Sequence, residues 1–453
     1  MTDCKDSIPK LHGNQNDYSG IDVWQVHQTP VFFVEFMLQW AQIIRIWRDI
    51  MSSQFAMEQI MKTGTIPAVA GEGIRLYDAQ GNTYFDLSEI SNVLGQKNAH
   101  FTKRMTDKLQ DLVGGKIAES PEKTKFYNYL SETTGNRYSY VHLTSSGSEA
   151  SEWVVRMALK MTGRNEVLAF WNSIHGRTFL SASMSGMPRR KQGYAPSAPG
   201  VLYGVYPDCT HCPFEKNCEN CDFFCLKFLE QKMKYESSQE IGAVIVEAYQ
   251  GAGIIVPPKG WLKALQDWTH RQGALFILDE IQSGMGRTGK MYCFEEEGLD
   301  PDVLLLGKAL GNGFHIGAAL LKKIPEEFYR PAMIGGAGDT ELAYAAGCAV
   351  FEELLENGLL EQIADVSKYL EQKLQELQSQ CPQIKHICCK GLAVSIELDG
   401  PEFFAAVQKK ARENGLIIGN GENHKLVLRP PYVITKADVD EVIAVLRNAL
   451  LMC

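Results

Sequence analysis

Between residues 100 and 340, short apolar runs alternate with stretches of helical period, and this alternation is what most constrains the fold. The runs are YVHLTS (140–145), EVLAFW (166–171), GAVIVEAY (242–249), ALFILDE (274–280), VLLLGK (303–308) and GAALL (317–321). They are continuously apolar rather than alternating, so each is expected to be a strand buried on both faces. A mostly parallel sheet covered by helices is the arrangement that provides such burial. The fold class is therefore α/β. Ahead of this block, GIRLYDAQGNTYFDLSE (73–89) alternates apolar and polar residues around a Gly-Asn turn and predicts a β-hairpin. After it, the helix-period segment 351–377 leads into strands ICCKGLAVSIEL and HKLVLRPPY and a last helix ADVDEVIAVLRNALL, a smaller α+β unit. The expected organisation is residues 1–99 as an N-terminal helix and hairpin segment belonging to the small domain, 100–344 as the large domain with a cysteine-rich insertion at 207–230, and 345–453 as the C-terminal small domain.

Charge and cysteine usage exclude several classes. The formal net charge of -9, with no Lys/Arg-rich run suited to a phosphate backbone, argues against nucleic acid as a partner. Twelve cysteines without a secretory signal read as reduced thiols of a cytoplasmic protein, because a chain of 453 residues builds a core that needs no disulfide framework. The most apolar segment, 30–51, is interrupted by Glu35, Gln39, Gln42 and Arg45 before a bilayer-spanning length is reached. It is expected to be a helix near 31–51, buried against the body or across a dimer interface, and no membrane is expected as a partner.

Chemistry is concentrated at the strand ends. Lys308 follows an apolar strand and precedes a glycine-rich turn, a placement suited to a Schiff base, and Asp279 ends another strand about thirty residues earlier, where a carboxylate can hold a pyridinium nitrogen protonated. Together they point to pyridoxal phosphate. In SGSEASEWVVRMALKMTG, Gly147 and Ser148 open a helix that Gly163 stops, and the free N-H groups of a helix start form an anion site suited to phosphate. An ordinary serine cap is the alternative there.

The runs TSSGSEASE (144–152), IHGRT (174–178), VEAYQGAGIIVPP (246–258), LDEIQSGMGRTGK (278–290), PDVLLLGKALGNG (301–313) and VLRPPYVIT (427–435) carry a resemblance. In that order the chain resembles the class III, fold-type I, pyridoxal-phosphate aminotransferases over roughly residues 65 to 450, with most likeness to 4-aminobutyrate and ω-amino acid aminotransferases. The resemblance implies a homodimer that moves an amino group from a terminal or ω-amine donor to a 2-oxo acid by a ping-pong route. It implies Lys308 as Schiff-base lysine and proton carrier, Asp279 on the ring nitrogen, Gln282 near the ring oxygen, and Ile174 and His175 beside the cofactor. Glu247 matches an acid near the substrate that pairs with an arginine when no carboxylate is bound. Arg429 matches the clamp for the common carboxylate, and Arg177 one that reaches a distal carboxylate in some subgroups. A racemase, epimerase or decarboxylase on the same scaffold is the alternative, since Lys308 and Asp279 would serve all of these.

The chain also departs from the family pattern. Ile174 stands where an aromatic residue usually stacks on the ring, Ala248 replaces a usual proline, and Tyr249 next to it is expected to contact substrate. Gly336 aligns with the threonine by which the partner subunit usually holds the phosphate, and Thr340 is the stand-in. Cys209, Cys212, Cys218, Cys221 and Cys225 form two CxxC pairs and one further cysteine. That spacing suits zinc or an iron-sulfur cluster, with reduced or redox-sensitive thiols as the other reading, and no metal is expected in the active site.

Overall fold

The computed structural model describes residues 68–111, 119–193, 196–328 and 338–453. The apolar segment 31–51 and Gly336 lie outside the described residues. A seven-stranded sheet is ordered Tyr140–Thr144, Gly317–Leu321, Val303–Leu306, Leu275–Asp279, Ile241–Glu247, Glu166–Phe170, Val201–Gly204. Gly317–Leu321 runs antiparallel to both neighbours, and every other adjacent pair is parallel. The fold is α/β with a large, mostly parallel sheet, as the apolar runs predict.

The Ile241–Glu247 strand shows why those runs are continuous. Val244 and Val246 enter one core with Trp261, Leu265 and Phe276, while Ala243 and Ile245 enter the other with Val154, Met157 and Ile277. With both faces dry, no position before the terminal Glu247 favours a polar side chain. The edge strand Val201–Gly204 escapes this pattern because it is four residues long and mostly half-buried.

The helix Gly147–Thr162 has the termini its sequence suggests. Ser146 Oγ accepts from the Glu149 amide, and Gly163 closes the helix at φ 69°, a left-handed conformation that glycine adopts without a Cβ penalty. Trp153, Val154, Met157 and Ala158 bury one face of the helix against the sheet. The hairpin forms from Arg75–Asp78 and Thr83–Asp86, and Asp78 Oδ1 accepts the amides of Gln80 and Asn82 at 2.9 Å each to hold the turn. Its second strand pairs in parallel with Leu416–Ile417, so the two ends of the described chain share a sheet. A separate four-stranded sheet is ordered Ile384–Lys390, Ala393–Leu398, Lys425–Leu428, Gly419–Asn420.

The helix Glu341–Leu355 is buried along most of its length and packs on the helix Pro121–Thr133 through Gly347. A Cβ at Gly347 would lie 2.2 Å from Cε2 of Phe126, a ring with no exposed surface and no room to move. Alanine would gain about 1 kcal/mol of helix propensity. Overpacking a dry core costs typically about 1 to 3 kcal/mol, and an overlap this deep falls at the upper end. Gly347→Ala is therefore expected to destabilise the protein by about 1 to 2 kcal/mol net; a urea midpoint equal to or above wild type would show that the two helices separate freely.

Candidate active site

The parallel strands all release the chain at the same edge of the sheet, the position where open α/β sheets bind ligands. Glu247 and Asp279 end adjacent strands in register, and Lys308 follows Val303–Leu306 by two residues. The turn 145–148 follows Tyr140–Thr144, and Ile174 and His175 follow Glu166–Phe170. Residues far apart in sequence are thereby collected around one cavity of about 860 Å³.

Asp279 lies just beneath the cavity. Its Oδ2 is 2.7 Å from Nδ1 of His175 and its Oδ1 accepts the Ile281 amide at 3.0 Å. His175 is buried, and its Nε2 has no hydrogen-bond partner among the described residues. Glu280, the other half of the acidic pair, does a different job. It is fully buried and accepts the amides of Cys293 and Phe294 at 2.7 and 2.8 Å, and burial pushes it up to about 8. It is a fastening for the following turn.

Glu247 accepts the Ile174 amide at 2.8 Å on one oxygen and the Gly251 amide at 2.8 Å on the other. Burial pushes its carboxyl up to about 7; His175 opposes this, and the like charge of Asp279 adds to it. The expected ion pair with an arginine is not formed among the described residues, where the donors to the carboxylate are two backbone amides, one on each oxygen.

Lys308 sits at φ 45°, a left-handed conformation that a non-glycine residue adopts at a cost of order 1 kcal/mol. The turn after it is anchored by Asn312, whose Oδ1 accepts the Leu94 amide at 2.8 Å. The lysine opens into the cavity and its amine has no ion-pair or hydrogen-bond partner among the described residues. Burial pulls it down to about 8; Asp279 and Glu247 oppose the shift, and Arg429 and Arg177 reinforce it. Ile281 ties this segment to the helix start: a Cβ on Gly147 would lie 2.9 Å from its Cδ1, and one on Gly307 3.3 Å from its Cγ2. Gly147 leaves room for that side chain, and at Gly307 it fits more loosely.

The residues fit pyridoxal phosphate on three counts. Ser146, Gly147 and Ser148 present a helix start to the cavity, where free amides suit a phosphate. A buried carboxylate, Asp279, lies beneath the floor, and an unpaired amine, Lys308, enters from the wall. Gln282 also lines the cavity with a buried Oε1 that lacks a donor among the described residues, and its amide lies against Gly251, where a Cβ would come 2.3 Å from Nε2 and push the side chain aside. Ile174, Arg177 and Arg429 complete the set that sequence pointed to.

One expected contact lies elsewhere, and Thr340, expected to stand in for a threonine that serves the partner subunit's phosphate, is placed as a helix cap. Tyr249 is 1% exposed and packs with Ile254, Ala393 and Val427, because the Gln250–Ile255 bridge folds the chain back just after it. It does not line the cavity. Thr340 caps the helix Glu341–Leu355, accepting the Ala343 amide at 3.2 Å, and does not line this chain's own cavity. Conversely, Glu89, Ser91, Arg189, Arg190 and Asn420 line the cavity and carry no motif that marks them. The RRK run at 189–191 was the one available signal, and its charge alone does not reveal which way it faces.

The five cysteines of the insertion line one small cavity beside Phe214, Phe223 and Phe224. Cys209 and Cys218 bring their sulfurs to 2.7 Å, while among the described residues no three His, Cys, Asp or Glu side chains are grouped to hold a metal.

Residues 58–450 match the model of the family described as Aminotransferase class-III. An acetylornithine aminotransferase from Streptococcus mutans is 31% identical over 390 residues, which cover 84% of this chain and 94% of that protein. One from Caldanaerobacter subterraneus is 31% identical over 396 residues, covering 85% and 94%. Among solved structures, the omega transaminase from Pseudomonas jessenii in complex with PMP superposes with a TM-score of 0.81 at 25% identity, covering 87% of this chain and 94% of that one. The taurine:2-oxoglutarate aminotransferase from Bifidobacterium kashiwanohense, in complex with PLP and glutamate, shares the fold with a TM-score of 0.78 at 23% identity, covering 86% and 93%. The racemase, epimerase and decarboxylase readings gain no support from these relatives. With the motif series in order, the strand-end geometry in place and the family model spanning most of its length, the chain belongs to the class-III aminotransferase family, the pyridoxal-phosphate-dependent transaminases of fold type I.

Proposed function

We propose that this transaminase takes an amino group from a terminal or ω-amine donor and delivers it to a 2-oxo acid by a ping-pong route. The observation that carries the proposal is the unpaired amine of Lys308, set in one cavity with the Glu247 carboxyl and the Arg429 guanidinium. The acetylornithine and omega-transaminase relatives support an amine at the end of the donor chain.

Pyridoxal phosphate, when bound, supplies an electron sink at the carbon from which the amino group leaves. Lys308 would hold it, and its amine, which burial pulls down to about 8 and so leaves about half deprotonated at that pH, would then carry the proton to and from the substrate carbon. Asp279, oriented by His175, would hold the ring nitrogen; Gly147 and Ser148 the phosphate; Gln282 the ring oxygen; and Ile174 one ring face. Glu247 would keep a neutral or charged carboxyl beside the substrate as its surroundings change. Arg429, whose Nε is buried without a partner among the described residues, would grip the carboxylate of the 2-oxo acid. The protein would work as a cytoplasmic homodimer: Thr340 does not line its own chain's cavity, which leaves it to serve the neighbouring subunit's phosphate. Among the described residues no helix is long and apolar enough to cross a membrane.

Lys308→Ala should remove the visible absorbance of the holoenzyme and lower turnover by about a hundredfold or more, the scale of a lost proton carrier; normal turnover by that variant would refute the role. Arg429→Ala should cost about 2 to 4 kcal/mol in kcat/KM for the acceptor, measured in the half-reaction that consumes the 2-oxo acid. Unchanged acceptor kinetics would remove Arg429 from the site.

The pH dependence follows from the amine. Only neutral Lys308 can take up the cofactor, and its folded value near 8 lies below the ordinary 10.5. Loading of the apoprotein should therefore accelerate as pH rises through about 8 and level off above it, in stopped-flow measurements of absorbance. A rate still climbing tenfold per pH unit beyond 9 would place the amine in an exposed, ordinary setting.

A further inference from the structure

Arg287 lies in the turn after the Leu275–Asp279 strand and is 1% exposed. One of its nitrogens, Nη1, donates to the Pro430 carbonyl at 2.6 Å and to the Leu392 carbonyl at 3.3 Å. The guanidinium lies over the Tyr432 ring, 4.6 Å from its centroid. Nη2 is buried without a hydrogen-bond partner, and no carboxylate pairs with this side chain among the described residues. A dry cation held only by carbonyl dipoles and a ring face is costly, and an uncharged side chain of similar length would avoid the cost. The charge calls for an anion, and none of the described residues supplies it.

The two carbonyls that Arg287 reaches lie beside Arg429. The strands Ala393–Leu398 and Lys425–Leu428 pair antiparallel with Val394 opposite Leu428, so Leu392 and Pro430 stand at one end of the separate four-stranded sheet. Leu392 returns the contact through its amide, which donates to the Arg287 carbonyl at 2.9 Å, and a Cβ on Gly391 would lie 2.4 Å from Thr288 Cα. The turn that carries Arg287 is thereby locked to that sheet end. Arg429 is held on both sides: its own amide donates to the Leu87 carbonyl at 2.7 Å, and the carbonyl of the next residue, Pro430, takes the Arg287 guanidinium. Burial pulls the Arg429 guanidinium below its ordinary range and Arg287 adds to the shift, while Tyr249, Glu89 and Asp86 oppose it. Both arginines stay charged even so. Two cations therefore stand one behind the other, and of the pair only Arg429 lines the cavity.

We propose that Arg287 is a positioning residue for the acceptor: it fixes Arg429 through the Pro430 carbonyl and places a second, buried positive charge behind it, so that a carboxylate docked at Arg429 is attracted by both. The anion that the buried guanidinium lacks then arrives with the 2-oxo acid. This inference rests on the proposed role of Arg429 as the grip on that acid.

The test is calorimetric binding to the holoenzyme of pentanoate, a carboxylate with neither amine nor keto group, beside pentanamide, its uncharged counterpart. In Arg287→Met, pentanoate should bind about tenfold more weakly than in wild type, the scale of one lost charge interaction across a partly dry site, with pentanamide unchanged. Arg287→Lys keeps a charge that can titrate. Measured against wild type at each pH, its pentanoate affinity should be the nearer to normal at about pH 6.5 and should fall toward that of Arg287→Met by about pH 9.5, as the buried lysine loses its proton. A merely structural role would weaken both ligands together and would not follow the titration of the lysine. Pentanoate binding by Arg287→Met equal to wild type, or a loss that pentanamide shares, overturns the proposal; should that variant not fold, an Arg287→Lys deficit that is the same at both pH values does so. Arg429→Ala keeps the two readings apart: if pentanoate affinity falls there and not in the Arg287 variants, this inference alone fails, whereas wild-type pentanoate binding by Arg429→Ala removes the grip itself and the inference with it.

Discussion

Asp279 Oδ2 lies 2.7 Å from His175 Nδ1, and the remainder of the site is arranged around that buried contact. A carboxylate at the end of a dry strand is costly unless it is paired or hydrogen-bonded. His175 and the Ile281 amide meet that need while leaving the carboxylate able to accept once more. The pair also joins two loops that leave non-adjacent strands of the sheet, Glu166–Phe170 and Leu275–Asp279, with Ile241–Glu247 between them. Glu247, on that middle strand, then has a like charge beside it and two backbone donors in front of it, and these together with burial set its proton affinity.

Electrostatics divide the cavity into two ends. Near the sheet, Asp279 and Glu247 face the amine of Lys308, which burial pulls down to about 8. Farther out, Arg177, Arg190 and Arg429 carry permanent charges without an ion pair among the described residues. The inner end is suited to moving protons and the outer end to holding anions, an arrangement that fits substrates combining an amine or carbonyl with a carboxylate. Close packing maintains the division: Ile281 between Gly147 and Gly307, and Gln282 against Gly251, leave no slack for the helix start or the lysine turn to drift.

Local pattern was enough for much of this. Continuous apolar runs of strand length predicted a doubly covered parallel sheet, because burial on both faces removes the alternation that a half-exposed strand would show. Gly147, Ser148 and Gly163 marked both ends of the Gly147–Thr162 helix, since capping is decided within a few residues of the terminus, and the fold supplied Ser146 as the cap itself. The motif series placed Lys308, Asp279, Glu247, Gln282, Ile174, Arg177 and Arg429 at or beside one cavity, because chemistry at the ends of parallel strands is written close to those strands.

What only the tertiary structure decided depends on residues brought together from distant parts of the chain. What Glu280 does was decided by the fold, in which the amides of Cys293 and Phe294 claim its carboxyl. Tyr249 was turned into a small core by a hairpin whose other wall, Ala393 and Val427, lies well over a hundred residues away. Glu247 accepts two backbone amides that no motif specifies. Glu89, Arg190 and Asn420 joined the site from outside the motifs that mark it, and the orientation of a charged side chain toward a cavity rather than toward water is set by the packing of its backbone. By itself the sequence determined the element types, the sheet and the reacting groups, which are local matters of period and residue type; the folded chain decided which charges meet, which remain unpaired and how large a substrate they surround.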